Sequence, residues 1–387
     1  MIRSIIISLN QTFTGISKRV YIAVINDLVT DQRIHRVASL LFDHGMAVTC
    51  IGRRLKNSPE LVDKDFEVHR FKMLFTKGPF FYAFYNIRLF FFLLKVPGPS
   101  LFIANDLDTL PAVYRVARFR RVKMIYDSHE LFTQVPELIG RKLVQSFWLW
   151  IESRLVPRLD HTITVSRPIA TIYRRLYGTR FRVVRNVPER SCISDEKKSS
   201  ELRPMIIYQG ALNLGRGLEL MIRSMNYMMD FVLLIAGTGD IEQDLKNLVK
   251  EEGLSEQVMF TGRLDPCDLA ALTCTARIGI SLEEDMGLNY RYALPNKIFD
   301  YIQCHIPVLC SALPEMAKLV ESYGIGVAIR DRSPENIARV VKFMLEEDDD
   351  GVWLPALEKA AEELCWEKES EQYLAVLYET GVLSEKL

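Results

Sequence analysis

The sequence predicts an α/β protein built of two doubly wound, Rossmann-like domains in tandem, with their strand carboxyl ends facing a shared cleft. Three observations carry that expectation. The chain has 387 residues, more than one hydrophobic core ordinarily organises. From Arg19 onward, short apolar runs alternate with longer amphipathic ones, the pattern of βα units on parallel sheets. The rhythm breaks at Ser191–Glu201, a run of small and charged residues, and then restarts.

Taken in order, Val20–Ile25 is apolar and β-branched and reads as the first strand. Asp31–His44 follows with Ile34, Val37, Ala38 and Leu41 at helical spacing and Gly45 as its stop. Strands are expected at Ala47–Ile51, Phe66–Phe71, Leu101–Ala104, Val122–Tyr126, His161–Val165 and Arg182–Val184. Beyond the break the order is strand Met205–Tyr208, helix Arg216–Tyr227, strand Phe231–Ile235, helix Ile241–Glu252 and strand Gln257–Phe260. Helix Asp265–Thr273, strand Ile278–Ser281, helix Pro295–Gln303 and strand Pro307–Leu309 come next, and helices close the chain. This gives a first domain over 1–190 with a leader over 1–18, a linker over 191–203, a second domain over 204–364 and a C-terminal helix over 365–387.

The net charge is zero by cancellation. Lys and Arg outnumber Asp and Glu 30 to 15 in residues 1–190, a balance of +15; residues 191–387 hold 19 against 34, a balance of −15. Such a split suits a first half that meets phosphates or an anionic surface. At 49% hydrophobic and 25% charged residues, with no low-complexity tract, the composition excludes disordered and fibrous classes. Seven cysteines form no CxxC pair and no zinc-type ladder, so ordinary thiols in a reducing compartment are expected.

The loops of the second half carry the chemistry. Strand Met205–Tyr208 runs into Gln209-Gly210-Ala211-Leu212-Asn213-Leu214-Gly215-Arg216-Gly217, where glycines let backbone approach a ligand and Arg216 supplies a fixed cation. Gly237-Thr238-Gly239-Asp240 repeats the arrangement after the next strand, with Asp240 as an alternative helix cap. In Pro295-Asn296-Lys297-Ile298-Phe299-Asp300, offsets of three and four place Asn296, Lys297 and Asp300 on one face. Lys297 with the first-turn amides can meet a diphosphate, and Asp300 can accept hydrogen bonds from ribose. The competing reading is a Lys297–Asp300 ion pair on a solvated helix.

Residues 205–310 resemble the donor-binding half of GT-B glycosyltransferases of the retaining family 4 type, through YQGALNLGRGLELMIRSM, LLIAGTGDIEQDL, FTGRLDPCDLAAL and ALPNKIFDYIQCHIPVLCS. The resemblance implies a nucleotide-sugar donor whose diphosphate is held by Arg216 with Lys297 beside it, and whose ribose is held by Asp300. Gly210, Gly237, Gly239 and Asn296 would line the same site. The family's first glutamate is replaced by Tyr292, so its role falls to Glu283, Glu284 or the Gly287–Asn289 stretch, including Asn289. In the first half, Tyr126-Asp127-Ser128-His129-Glu130 resembles the family's DxHE stretch, which implies that His129 contacts the donor sugar. Asn26, Asp27 and Arg33 resemble its acceptor-side loop, without the usual double glycine. Catalytic roles are thereby expected of His129, Arg216 and Lys297.

No cofactor or metal is expected. Asp106-Leu107-Asp108 has the form of a metal-binding DxD, but Asp108 reads as the cap of a helix starting at Thr109. Residues 79–96 are too short to span a bilayer, and with residues 141–158 they are aromatic and basic; one reading is two helices packed on the sheet. They suggest peripheral contact with the inner face of a membrane, where a lipid-linked or growing glycan would be the acceptor, and no role for nucleic acid. The rival readings are a nucleotide-sugar 2-epimerase and a non-catalytic nucleotide-sugar-binding subunit.

Overall fold

A computed structural model describes residues 18–384, except 30, 57, 60, 62, 63, 136, 137, 139, 191–202 and 350. Residues 1–17 of the expected leader over 1–18, and nearly all of the expected linker over 191–203, lie outside the described residues. The strands are β1 Arg19–Ala23, β2 Ala47–Arg54, β3 Glu67–Lys72, β4 Pro99–Asn105, β5 Lys123–Ser128, β6 Thr162–Thr164, β7 Arg182–Val183, β8 Met205–Gln209, β9 Val232–Ala236, β10 Val258–Gly262, β11 Ile278–Ser281, β12 Val308–Ser311 and β13 Gly326–Ile329. Helices α1 Gln32–Asp43, α2 Pro79–Lys95, α3 Asp106–Arg120, α4 Lys142–Leu155 and α5 Arg167–Tyr177 accompany the first seven strands. Helices α6 Leu218–Ser224, α7 Glu242–Glu251, α8 Pro266–Cys274, α9 Leu288–Arg291, α10 Asn296–Gln303, α11 Pro314–Tyr323, α12 Pro334–Asp349, α13 Leu354–Glu363 and α14 Trp366–Glu379 follow.

Two sheets result. One has seven strands in the order β3-β2-β1-β4-β5-β6-β7, the other six in the order β10-β9-β8-β11-β12-β13. Both start in the middle, step outward one way, then return to the other side of the first strand. That reversal defines a doubly wound sheet and puts its switch point beside β1 in one and β8 in the other. The described strand pairs are parallel, for example Met205↔Val232 and Ile278↔Ile206. Central strands are buried on both faces, so they read as near-continuous apolar runs in the sequence. The fold class matches the expectation.

By packing, the chain divides into two compact units, one of residues 1–126 with 377–387 and the other of Asp127–Val376. In the first, α1 is capped by Asp31, whose carboxylate accepts from the Ile34 amide at 3.1 Å. Such a cap is worth about 1 kcal/mol. The helix packs Ile34, Val37, Ala38 and Leu41 inward. Helix α3 begins at Asp106, not at Thr109, so Asp108 lies in its first turn, buried, and is not the cap.

In the second unit, α10 is fastened to the sheet by Tyr301. Its hydroxyl donates to the Ile280 carbonyl at 3.1 Å and accepts from the Gln209 amide at 3.3 Å. The ring lies so flat on β11 that a β-carbon at Gly279 would sit 2.4 Å from it. Ile298, Phe299 and Ile302 complete the buried face of α10. Each such side chain contributes roughly 1.5–3 kcal/mol on burial. This seating brings Lys297 and Asp300 to the carboxyl ends of β8 and β11.

Helix α6 starts at Leu218 and gives way to a 3₁₀ turn at Met225–Tyr227, so it is shorter than the expected Arg216–Tyr227. The cysteine expectation needs a correction. Cys274 at the end of α8 and Cys304 just past α10 are joined by a disulfide, their Cα atoms 4.8 Å apart. Nothing in their thirty-residue separation marks them, because only the packing of α8 against α10 brings them together.

Candidate functional site

The first glycine loop leaves β8 and lies along the second. The Gly210 amide donates to the Ala236 carbonyl at 2.9 Å, and the Leu212 amide to Thr238 at 3.1 Å. A β-carbon at Gly237 would fall 1.9 Å from the Gly210 carbonyl oxygen. Gly237 is therefore required by the contact of loop on loop, independent of any ligand, and Gly239 sits against Leu212 in the same way. Gly210 has a similar φ of +134° but is less crowded: a β-carbon there would stand 3.6 Å from the Tyr208 hydroxyl and 3.7 Å from the Lys297 chain. Asp240 does not cap α7; its amide donates to the Asn213 side-chain oxygen at 3.3 Å, and the helix begins at Glu242.

Around that loop the cations converge. Lys297 Nζ donates to Glu283 Oε1 at 2.8 Å, with both side chains more than nine-tenths buried. The ammonium also stands 3.9 Å above the Tyr208 ring. Arg216 Nη1 approaches the same Glu283 oxygen at 3.6 Å, and its guanidinium lies 4.9 Å over the Tyr290 ring. The remaining Glu283 oxygen accepts from Ser281 Oγ at 2.6 Å. Lys297 thus turns away from its own helix to the strand β11 side, and the solvated Lys297–Asp300 pair is not formed. At 3.6 Å the Arg216 contact is longer than a hydrogen bond, and Arg216 Nε is buried with no hydrogen-bond partner.

Electrostatics follow from this geometry. Burial would push the Glu283 carboxyl up, but Lys297, Ser281 and Arg216 together outweigh it and hold the pKa below the ordinary 4.5. Burial likewise works against the Arg216 charge, and Glu283, Tyr290 and Tyr208 reverse it, leaving the guanidinium pKa raised. Two cations share one carboxylate, so the cluster keeps one net positive charge. Such a group can take an anion with several oxygens.

Asp300 reaches the same loop from below. Gln209 Nε2 donates to Asp300 Oδ2 at 2.6 Å, while Gln209 Oε1 accepts from Thr273 Oγ1 at 2.7 Å. Asn296 opens α10 and is exposed. The route from Asp300 through Gln209 and Gly210 to Lys297, Glu283 and Arg216 is continuous, so the residues expected to hold a diphosphate and its ribose do come together.

Helix α9 ties in the His129 segment. Asn289 accepts from the Leu131 amide at 3.0 Å and donates to the Glu130 carboxylate at 3.3 Å. Its neighbour Tyr290 is the ring beneath Arg216. One helical turn therefore fixes both the loop after β5 and the Arg216 guanidinium. Asn289 is 7% exposed and spent on this clamp. His129 Nε2 lies 3.7 Å from the fully buried Asp127 carboxylate, with the imidazole about one-fifth exposed.

The acceptor-side candidates belong to the first unit. Asn26 Nδ2 donates to Asp31 and its Oδ1 accepts from the Leu28 amide at 2.9 Å. Asp27 accepts from the Val29 amide at 3.2 Å and from Ser58 Oγ at 3.0 Å. Arg33 is 2% exposed. Asn26 and Asp27 build the loop after β1, whereas Arg33 lies in the first turn of α1 and presents no charge to solvent. A cavity of about 580 Å³ in this unit is lined by Arg19, Ala47, Glu67 and Pro97, at the amino ends of the strands; ligands of open sheets bind at the other end.

Glu283 is among the positions expected to take the role of the family's missing first glutamate; Gln209, Tyr208 and Tyr290 are the components the motifs did not single out.

Comparison with known proteins identifies the family and the fold. Residues 190–361 match the family described as Glycosyl transferases group 1, and residues 30–188 match the Glycosyl transferase 4-like domain. An uncharacterized glycosyltransferase of Methanocaldococcus jannaschii is 24% identical over 148 residues, which span 37% of this chain and about a third (36%) of that relative. Among solved structures, sucrose-phosphate synthase from Thermosynechococcus elongatus superposes with a TM-score of 0.77 at 17% identity, covering 94% of this chain and 99% of that one. Anabaena HepE, solved in complex with UDP-glucose, gives 0.68 at 13% identity over 94% and 100%. WaaG, a glycosyltransferase involved in lipopolysaccharide biosynthesis, gives 0.66 at 15% over 95% and 100%. Two matching domain families covering nearly the whole chain, on two doubly wound sheets, make this protein a glycosyltransferase of the GT-B fold.

Proposed function

We propose that the protein transfers a sugar from a nucleoside-diphosphate sugar to a glycan or lipid-linked glycan, with retention of anomeric configuration and without a metal ion. The observation that carries the donor reading is the under-satisfied Arg216 guanidinium beside Lys297, both facing one buried carboxylate. A diphosphate would give Arg216 the hydrogen bonds that Glu283, at 3.6 Å, does not. When the bond between the anomeric carbon and the diphosphate oxygen breaks, its electrons pass to the leaving group. Fixed cations aimed at that growing charge are commonly the largest catalytic contribution. In this reading Asp300, oriented by Gln209, receives the ribose hydroxyls, and His129, backed by Asp127, contacts the donor sugar. That solved relatives of this fold hold UDP and UDP-glucose supports a nucleotide-sugar donor.

We place the reaction in the cytoplasm, at the inner face of the membrane, as a step in glycan assembly. A thermal-shift panel of UDP, GDP, ADP and their sugar conjugates tests the donor part. Wild-type protein should be stabilised by one nucleotide class, and Arg216→Gln should lose that shift. No shift with any nucleotide, or an unchanged shift in Arg216→Gln, would remove Arg216 from the donor site. Turnover of donor alone into an epimer would replace transfer by epimerisation.

A further inference from the structure

Glu152 lies on the inner face of α4 and is 2% exposed. Three hydroxyl groups converge on its carboxylate. Tyr177 Oη donates to Oε2 at 2.7 Å, Thr133 Oγ1 to the same oxygen at 3.3 Å, and Tyr173 Oη to Oε1 at 3.3 Å. A buried carboxylate needs such donors to offset its lost hydration. Two of the three lead to the loop that carries His129. Thr133 stands in the 3₁₀ turn Phe132–Gln134 that ends this loop. Tyr173, on α5, lies 3.0 Å from the Oγ of Ser128, the residue directly before His129. Glu152 thus reaches both ends of the segment 128–133, while Asn289 holds its middle at Glu130 and Leu131.

The charge on Glu152 sets how these hydroxyls point. Ser128 Oγ also lies 2.9 Å from the Glu130 carbonyl, and each hydroxyl has a single proton to give. Ionised Glu152 only accepts, so it takes the Tyr173 proton, and Tyr173 accepts from Ser128. A neutral carboxyl can donate to Tyr173 instead; Tyr173 then donates to Ser128, and Ser128 to the Glu130 carbonyl. Protonation of Glu152 therefore reverses a hydrogen-bond chain that ends beside His129. Only the ionised form accepts from all three hydroxyls at once. Burial pushes its pKa above the ordinary 4.5, and the bonds from Tyr177, Tyr173 and Thr133 draw it part of the way back. Burial and Glu152 also push the Tyr177 hydroxyl up, so it stays a donor.

We propose that ionised Glu152 is a positioning residue for His129, acting through Tyr173 and Ser128 at one end of the loop and Thr133 at the other. This rests on the reading that His129 contacts the donor sugar. The full chain is assayed for release of nucleoside diphosphate from the nucleotide sugar that the thermal-shift panel selects, across the acid and neutral range. Glu152→Gln should lower kcat about tenfold, the worth of one misdirected hydrogen bond, and keep the thermal shift given by the free nucleoside diphosphate. Tyr173→Phe keeps its ring stacked on Phe181, 4.2 Å between centroids, and should show the same split even if the Gln variant folds poorly. Wild-type kcat should fall as pH drops through the folded pKa of Glu152, and Glu152→Gln should fall less steeply. Tyr177→Phe removes a bond that lowers that pKa, so its fall should begin at higher pH; an acid that only supports the fold would not move the profile. The proposal is overturned by full kcat in both Glu152→Gln and Tyr173→Phe, by a loss of nucleoside diphosphate binding that matches the loss of kcat, or by equal acid falls in wild type and Glu152→Gln. Full kcat in those two variants beside a loss in His129→Ala sinks this proposal alone. Full turnover in His129→Ala sinks the His129 reading and this proposal with it.

Discussion

Lys297 and Glu283 meet at 2.8 Å in the interior of the second unit, and Arg216 stands 3.6 Å from the same carboxylate oxygen. Removing the shared anion leaves the buried Lys297 ammonium unpaired beside the partly buried Arg216 guanidinium. Glu283→Gln should therefore lower stability by about 3 kcal/mol, read by urea unfolding. Because a bound diphosphate would replace the missing charge, the thermal shift given by the cognate nucleotide should be larger in the variant than in wild type. An equal or smaller shift would separate Glu283 from the anion site.

The pH dependence follows from the same carboxyl. Its pKa is held below the ordinary 4.5 in the folded protein, so it binds fewer protons folded than unfolded just below that value. Its contribution to stability is present above about pH 4.5 and is lost as pH falls through the lower folded value. Stability measured across that acid range should fall less steeply in Glu283→Gln than in wild type. Parallel slopes would count against the ion cluster.

At Asp300, replacement by Asn removes the charge from an acceptor held by Gln209 at 2.6 Å. Nucleotide affinity should drop roughly tenfold to a hundredfold, the worth of a charge-assisted hydrogen bond of about 1.5–3 kcal/mol. Titration calorimetry with the cognate nucleoside diphosphate checks it, and unchanged affinity would take Asp300 out of the site.

His129→Ala should leave binding of the free nucleoside diphosphate near wild type while lowering turnover by about a hundredfold or more. The proposed function has it contact the donor sugar, and it stands beside Asp127 on a loop clamped by Asn289. Full turnover in the variant would leave the protein as a binder whose chemistry lies elsewhere.

Gly279→Ala tests how α10 is seated. An added β-carbon would lie 2.4 Å from the Tyr301 ring, so about 1–3 kcal/mol of stability should be lost through overpacking. Nucleotide affinity should fall with it, since Lys297 and Asp300 ride on that helix. A neutral effect would mean the ring can move aside freely.

The sequence by itself determined the strand and helix alternation, both doubly wound sheets, and the loops carrying Arg216, Lys297 and Asp300. Those features are local: periodicity, glycine turns and residue spacing along one helix. Tertiary structure alone decided that Lys297 leaves Asp300 for Glu283, that Asn289 clamps the His129 loop, that Gly237 serves loop packing, and that Cys274 meets Cys304. It also decided that Glu152 points inward, where Tyr173 and Thr133 tie it to both ends of the His129 loop. Each of these depends on which groups become buried neighbours across distant parts of the chain. An ion pair or an orphaned guanidinium acquires its strength from the low-dielectric surroundings that only the assembled fold supplies.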